Sequence, residues 1–152
     1  MSLVYEITEV CEAHLSDIEE IEKACFSIPW TREQLRWQMT EPGHMFLAAV
    51  SSGRVIGYVG LAYVLDEGYI SNIAVTADFR RQGVADALLR ELEARASAIP
   101  VSFATLEVRD SNTSARAFYT NRGFSEVGRI KNYYQAPRED AILMTKFFDT
   151  SR

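Results

Sequence analysis

The sequence predicts an α/β fold of the α+β kind, a mixed sheet flanked by helices in one domain over residues 1–152. Three observations carry this. Apolar runs of strand length interleave with segments whose apolar residues recur every three to four positions, in the order β-α-α-β-β-β-α-β-α-β-β. The three central strands are joined only by turn chemistry, which makes an antiparallel meander. The strong helix after them leads to another buried-type strand, which adds a crossover.

Taken in order, residues 4–9 alternate weakly and form a first strand. Leu15, Ile18, Ile21, Cys25 and Phe26 share one helical face, and Pro29 is expected to break that helix. Thr31 opens TREQ, a capping-box pattern with Gln34, so a second short helix runs through Leu35 to Met39 and Pro42-Gly43 ends it. Residues 45–50, 55–65 and 69–75 are the meander, separated by Ser51-Ser52-Gly53-Arg54 and Asp66-Glu67-Gly68. Ala85, Leu88, Leu89, Leu92 and Ala96 mark the strong helix, and Pro100 parts it from a strand at 101–108. Ala115, Phe118 and Tyr119 share a face of a short helix, which Gly123 stops; strands at 124–130 and 141–148 close the fold.

Composition narrows the function. The chain of 152 residues suits one domain with a full core. Its formal net charge is −5, against the basic balance usual for nucleic-acid binders, so no direct nucleic-acid contact is expected. No apolar run approaches the ~20 residues that span a bilayer, and the N-terminus lacks a basic-then-apolar leader. A cytoplasmic protein without a membrane partner is expected. Cys11 and Cys25 then stay reduced, Cys25 in a core role, and two histidines without a Cys/His cluster argue against a metal site.

Against that acidic background, FRRQGVADALL (79–89) places two arginines and a glycine where the strong helix starts. The first amides of a helix lack partners within it, and the helix dipole favours an anion there. Gly83 removes a Cβ that would block close approach, Ala85 is nearly as small, and Arg80 and Arg81 add charge-assisted donors. The pattern fits an anion cradle of pyrophosphate size; a basic loop before an ordinary helix start is the other reading. Neither G-K-[ST] nor GxGxxG is present.

The stretch Asn72-Ile73-Ala74-Val75 followed by Arg80-Arg81-Gln82-Gly83-Val84-Ala85 resembles the acetyl-CoA motif of the GNAT N-acetyltransferase superfamily, R/Q-x-x-G-x-G/A. The resemblance implies the GNAT fold, with a mixed, mostly antiparallel sheet, and acetyl-CoA as co-substrate. It implies that the backbone of Ile73, Ala74 and Val75 holds the pantetheine arm. It assigns the pyrophosphate to Arg80, Arg81, Gln82, Gly83, Val84, Ala85 and Asp86, with alanine at 85 where glycine is common.

A second cluster lies downstream. In Leu106-Glu107-Val108-Arg109, alternation puts Phe103, Thr105 and Glu107 on one face of the strand and Leu106 and Val108 on the other. Partial burial there would raise a carboxyl pKa and suit a general base; a strand-end glutamate paired with an arginine is equally open. Asn112 reads as a helix cap and Tyr119 as core, its hydroxyl needing a partner if buried. The set LEVR, Ser111-Asn112, Ala115, Phe118-Tyr119 and Gly123-Phe124, with Asn132-Tyr133-Tyr134 and Glu139-Asp140-Ala141, resembles the bacterial ribosomal-protein alanine N-acetyltransferases, the RimI-like group. Phe26-Ser27-Ile28-Pro29-Trp30 resembles that group's FPW segment with two residues inserted.

This closer resemblance implies Glu107 as proton acceptor, Tyr119 as proton donor and cofactor contact, and Asn112 as a cofactor contact. It also implies that Pro29, Trp30, Tyr133 and Tyr134 wall the peptide groove, although Trp30 and the tyrosines could equally be core or rim aromatics. The implied reaction is direct acetyl transfer to the N-terminal amine, of alanine first, of a small-subunit ribosomal protein, with a backbone N–H near Val75 facing the oxyanion and no metal. Other protein N-termini, a lysine or a small amine remain open as acceptors. So does an acetyl-CoA sensor or interaction module that performs no chemistry.

Overall fold

The computed structural model describes residues 3–148 and holds the strands and helices in the expected order. They are β1 (Glu6–Glu9), α1 (Leu15–Cys25), α2 (Arg32–Thr40), β2 (His44–Ser51), β3 (Arg54–Val64), β4 (Glu67–Val75), α3 (Val84–Ala96), β5 (Phe103–Arg109), α4 (Thr113–Thr120), β6 (Ser125–Gln135) and β7 (Arg138–Phe147). The strands form one seven-stranded sheet in the order β1-β2-β3-β4-β5-β7-β6. Neighbours are antiparallel except β4 and β5, the pair that the α3 crossover joins.

Alternation along the strands sorts the core onto two faces. On one face Leu47, Val59, Leu61, Ala104, Leu106 and Val108 pack with Leu88 and Leu92 of α3 and with Tyr119 of α4. On the other, Phe46, Ala48 and Tyr58 pack with Leu15, Ile18 and Ile21 of α1 and Leu35 of α2. The capping box forms as read: the Gln34 amide donates to Thr31 Oγ1 at 3.2 Å, and the Thr31 amide donates to Gln34 Oε1 at 2.8 Å.

Most boundaries differ from the sequence reading by a residue or more, among them β4 starting at Glu67 rather than 69, β5 at Phe103 rather than 101 and β7 at Arg138 rather than 141. The first strand begins at Glu6 rather than at residue 4. The first helix ends at Cys25, before Pro29 acts, and Phe26 leaves it in extended backbone and is exposed. β6 runs on to Gln135, past residue 130, because a register shift between Ile130 and Tyr134, with Asn132 at φ 54°, carries the strand through the polar Lys131-Asn132 step.

One irregularity shapes the site. β4 and β5 pair only through Glu67, Gly68 and Tyr69 against Phe103, Ala104 and Thr105. On the other side of β4, Ile70 pairs with Leu61 and Asn72 with Gly60, which leaves Ser71 as an extra residue. Such a bulge bends its strand and increases its twist. Beyond Tyr69 the two parallel strands have no ladder between them, and a wedge opens across the sheet.

Candidate active site

The wedge holds a cleft of about 500 Å³. Residues 69–73 of β4 form one wall and 106–109 of β5 the other. Asn112, Ala115 and Tyr119 line it from the α4 side; Phe26, Ile28 and Trp30 of the α1–α2 loop line it from the opposite side, with Tyr133 and Tyr134 of β6. The cleft therefore connects the two faces of the sheet. Glu107 and Tyr119 both line it, the first from the α1–α2 face and the second from the α3–α4 face.

Glu107 is half-buried and alternates with buried Leu106 and Val108, as read. Its partner is not an arginine. Glu107 Oε1 accepts hydrogen bonds from the hydroxyls of Tyr69 (2.5 Å) and Tyr133 (3.0 Å). Burial, and then the hydrogen bond to Glu107, push the Tyr69 phenol above its ordinary range; burial, and then the charge of Glu107, raise Tyr133 as well. Both phenols therefore stay protonated donors at neutral pH. Arg109, the nearby strand-end cation, bonds Glu139 at 3.3 Å and the Pro137 carbonyl at 2.9 Å, and stacks 4.3 Å over the Tyr134 ring. Hydrogen bonds from Ser111, and then Arg109, hold the Glu139 carboxyl below the usual carboxylate range.

Tyr119 packs its ring between Phe118 and Phe124, at centroid distances of 5.2 and 5.4 Å. Its hydroxyl has no hydrogen-bond partner among the described residues and is not itself buried: it opens on the cleft, so the partner required of a buried phenol is not called for. Burial, and then the nearby Tyr134, raise its pKa well above that of a free tyrosine. A phenol so placed on the cleft keeps its proton to donate. Tyr134 is pushed up to about 12 by burial and then by the charge of Glu107.

The loop before α3 is built around two left-handed residues, Arg81 (φ 63°) and Gly83 (φ 83°), with Gly83 as the N-cap. A Cβ on Gly83 would meet nothing within 4 Å, so the glycine serves the φ angle and keeps the space before it open. The first bond of the helix runs from the Ala87 amide to the Gly83 carbonyl. The amides of residues 81–86 have no partner among the described residues. Free amides around two left-handed residues at a helix start can hold an anion, which the helix dipole favours.

The arginines divide. Both are exposed, but the Arg80 guanidinium turns back to the Val75 carbonyl (3.1 Å) and Cys25 Sγ (3.3 Å), whereas the Arg81 side chain makes no hydrogen bond or ion pair among the described residues. Asp86 is also occupied, by Arg90 at 2.9 Å and Arg122 at 2.8 Å, so its carboxylate ties α3 to the end of α4. Gln82 reaches only the Asp78 carbonyl. Val84, the first residue of α3, is buried, and Ala85 packs against the same core. On β4, Ile73 lines the cleft, Ala74 packs toward α1 and Val75 pairs with Gly57.

Asn112 is the N-cap of α4, its Oδ1 accepting from the Ala115 amide at 3.1 Å, and it also lines the cleft. Ile28 and Trp30 line the cleft; Pro29 stands between them in the chain and is not among the lining residues. Cys25 is half-buried on the cleft wall rather than wholly in the core.

Two residues of the site escaped the sequence reading. Tyr69 gave no local signal, since its contact with Glu107 depends on the register between β4 and β5. Glu22 did leave one: a carboxylate four residues after Ile18, on the apolar stripe of α1. It is fully buried; its Oε1 accepts from the Trp30 amide at 2.8 Å, and its Oε2 from the Tyr58 hydroxyl and from Asn72 Nδ2. Gln38 joins the network, donating to Ser71 Oγ at 2.8 Å and to Asn72 Oδ1 at 3.3 Å. A Cβ on Gly60 would sit 1.8 Å from Gln38 Nε2, so only glycine admits this contact behind the bulge.

Among the described residues, no group of three or more His, Cys, Asp or Glu side chains is arranged to hold a metal ion, and no helix is long and apolar enough to cross a membrane.

The chain matches the family model described as Acetyltransferase (GNAT) family over residues 11–124. It is 35% identical to the ribosomal protein bS18-alanine N-acetyltransferase of Escherichia coli over 126 residues, which is 82% of this chain and 84% of the relative. It is 32% identical to the enzyme of the same name from Haemophilus ducreyi over 146 residues, 93% and 99% of the two chains. The crystal structure of the ribosomal-protein-S18-alanine N-acetyltransferase from Escherichia coli superposes with a TM-score of 0.89 at 30% identity, covering 98% of this chain and 97% of that one.

Proposed function

The chain belongs to the acetyltransferase (GNAT) family and is an N-acetyltransferase, and from that premise we propose that it transfers acetyl from acetyl-CoA to the N-terminal α-amine of a protein. The acceptor is an alanine-initiated ribosomal protein, the substrate class that its relatives' names carry. The observation that carries the reading is the cleft through the sheet, with a carboxylate on one face and a protonated phenol on the other. Two reagents can meet there from opposite sides.

The free amides of residues 81–86 and the Arg81 side chain bind the pyrophosphate at the start of α3. The β4 edge beside the wedge, at Ile73, receives the pantetheine arm through backbone that β5 leaves unpaired. Glu107 takes the proton of the incoming amine. A protein α-amine has a pKa of about 7.7–8.0, against about 10.4 for lysine, so it needs less help near neutral pH. The amine attacks the thioester carbonyl, the C–S bond breaks, and Tyr119 supplies a proton to the departing thiolate. Phe26, Ile28, Trp30 and the β6 tyrosines border the side from which the peptide enters.

The deciding experiment incubates the protein with acetyl-CoA and a panel of peptides that differ at the first residue and in lysine content, with the modified atom located by mass spectrometry. Acetyl on the α-amine, with alanine preferred, is the expected result. Acetyl confined to lysine side chains would overturn it. The cradle has its own test. Arg81→Ala raises KM for acetyl-CoA about tenfold, the scale of one hydrogen bond to a charged group, with kcat nearly unchanged. Arg80→Ala changes it less, because that guanidinium is held by Val75 and Cys25. Equal KM values for Arg81→Ala and wild type would remove Arg81 from the cradle.

A further inference from the structure

The geometry points to Tyr69 as a positioning residue for the reaction, one that with Tyr133 holds Glu107 so that a single carboxylate oxygen faces the acceptor amine. This rests on the reading of Glu107 as the base.

Tyr69 stands at the apex of the wedge. It is the last β4 residue paired with β5, opposite Thr105, and therefore shares the sheet face of Thr105 and Glu107. Glu107 is two residues further along β5, where the ladder to β4 has ended. From there the Tyr69 hydroxyl reaches Glu107 Oε1 at 2.5 Å, while Tyr133 approaches the same oxygen from β6 at 3.0 Å. Both donors address Oε1; Oε2 has no hydrogen-bond partner among the described residues. A carboxylate gripped on one oxygen from both sides cannot rotate without breaking two charge-assisted bonds. Its free lone pairs then point where the amine must arrive. Pre-set orientation of this kind is worth rate, because a base that samples several rotamers spends less time in reach of the proton.

Position also separates Tyr69 from the peptide wall. The aromatics of the α1–α2 loop border the entrance, whereas Tyr69 sits where the strands part, with its hydroxyl committed to Glu107. Its removal is expected to act on kcat rather than on peptide binding. The phenyl ring of Tyr69→Phe keeps the packing and deletes only the donor.

A double-mutant cycle on the full chain tests this. Initial rates are measured with acetyl-CoA and an alanine-initiated peptide, or with whichever amine the peptide panel identifies, for wild type, Tyr69→Phe, Glu107→Gln and the double variant. Product is counted by mass spectrometry so that the slow variants stay measurable, and thermal melts check the fold. Tyr69→Phe should lower kcat about tenfold, the scale of one hydrogen bond to a charged group, with KM for acetyl-CoA within twofold of wild type. In the Glu107→Gln background it should have almost no further effect, because the group it positions no longer acts as a base.

Three outcomes overturn the inference while leaving the proposed function intact. They are a kcat within twofold of wild type, a rise in peptide KM alone, and an undiminished Tyr69→Phe effect in the Glu107→Gln background. Unchanged turnover in Glu107→Gln itself would instead remove the base, and this positioning role with it.

Discussion

Glu107→Gln should lower turnover by about 10²–10⁴-fold while the KM for acetyl-CoA stays close to that of the unaltered chain, as measured by steady-state kinetics. The substitution is nearly isosteric. Its carbonyl oxygen can still accept the Tyr69 and Tyr133 hydroxyls that now bond Oε1, so the cleft keeps its shape. What is lost is a basic oxygen able to take the amine proton. The proposed pyrophosphate cradle is at the start of α3, on another element, which is why cofactor affinity should be spared. Retained turnover would exclude Glu107 as the proton acceptor. A rise in acetyl-CoA KM with kcat intact would instead place Glu107 in cofactor binding.

Glu22→Leu should destabilise the protein by about 3 kcal/mol or more. Three donors converge on this fully buried carboxyl: the Trp30 amide, the Tyr58 hydroxyl and Asn72 Nδ2. Each buried donor left without an acceptor costs about 1–3 kcal/mol. At about 2–4 °C per kcal/mol for a chain of this size, the melting temperature should fall by about 6–12 °C. Glu22→Gln keeps one acceptor oxygen and should fall less. The effect would also reach the site, because the same carboxyl joins the α1–α2 loop at Trp30 to the bulged part of β4 at Asn72. A Glu22→Leu melt within 2 °C of wild type would mean that these donors find other partners.

Much of this molecule was legible from local pattern. The 3.6-residue stripe of α3, the capping box at Thr31 and the left-handed stop at Gly123 each depend on a few neighbouring residues, and each forms as read. The free amides at Arg81-Gln82-Gly83 were visible for the same reason, since a helix start exposes amides wherever it lies. The individual side chains were harder. Arg80 and Arg81 are alike in sequence and both exposed, yet the side chain of one turns back to the Val75 carbonyl and that of the other makes no hydrogen bond among the described residues. Asn112 reads as a cap and is one. Pro29 matched a motif, and it is its neighbours Ile28 and Trp30 that line the cleft.

By itself, then, the sequence determined the element order, the two-faced strands and the helix start with its free amides, because these follow from periodicity and helix-end chemistry over short spans. Only the tertiary structure decided that β4 and β5 part after Tyr69, that Glu107 and Tyr119 reach one cleft from opposite faces, and that Tyr69 and Tyr133 share one carboxylate oxygen. The physical reason is register. Which residues stand opposite one another across a parallel pair, and where a bulge ends that pairing, is settled by packing between segments far apart in the chain.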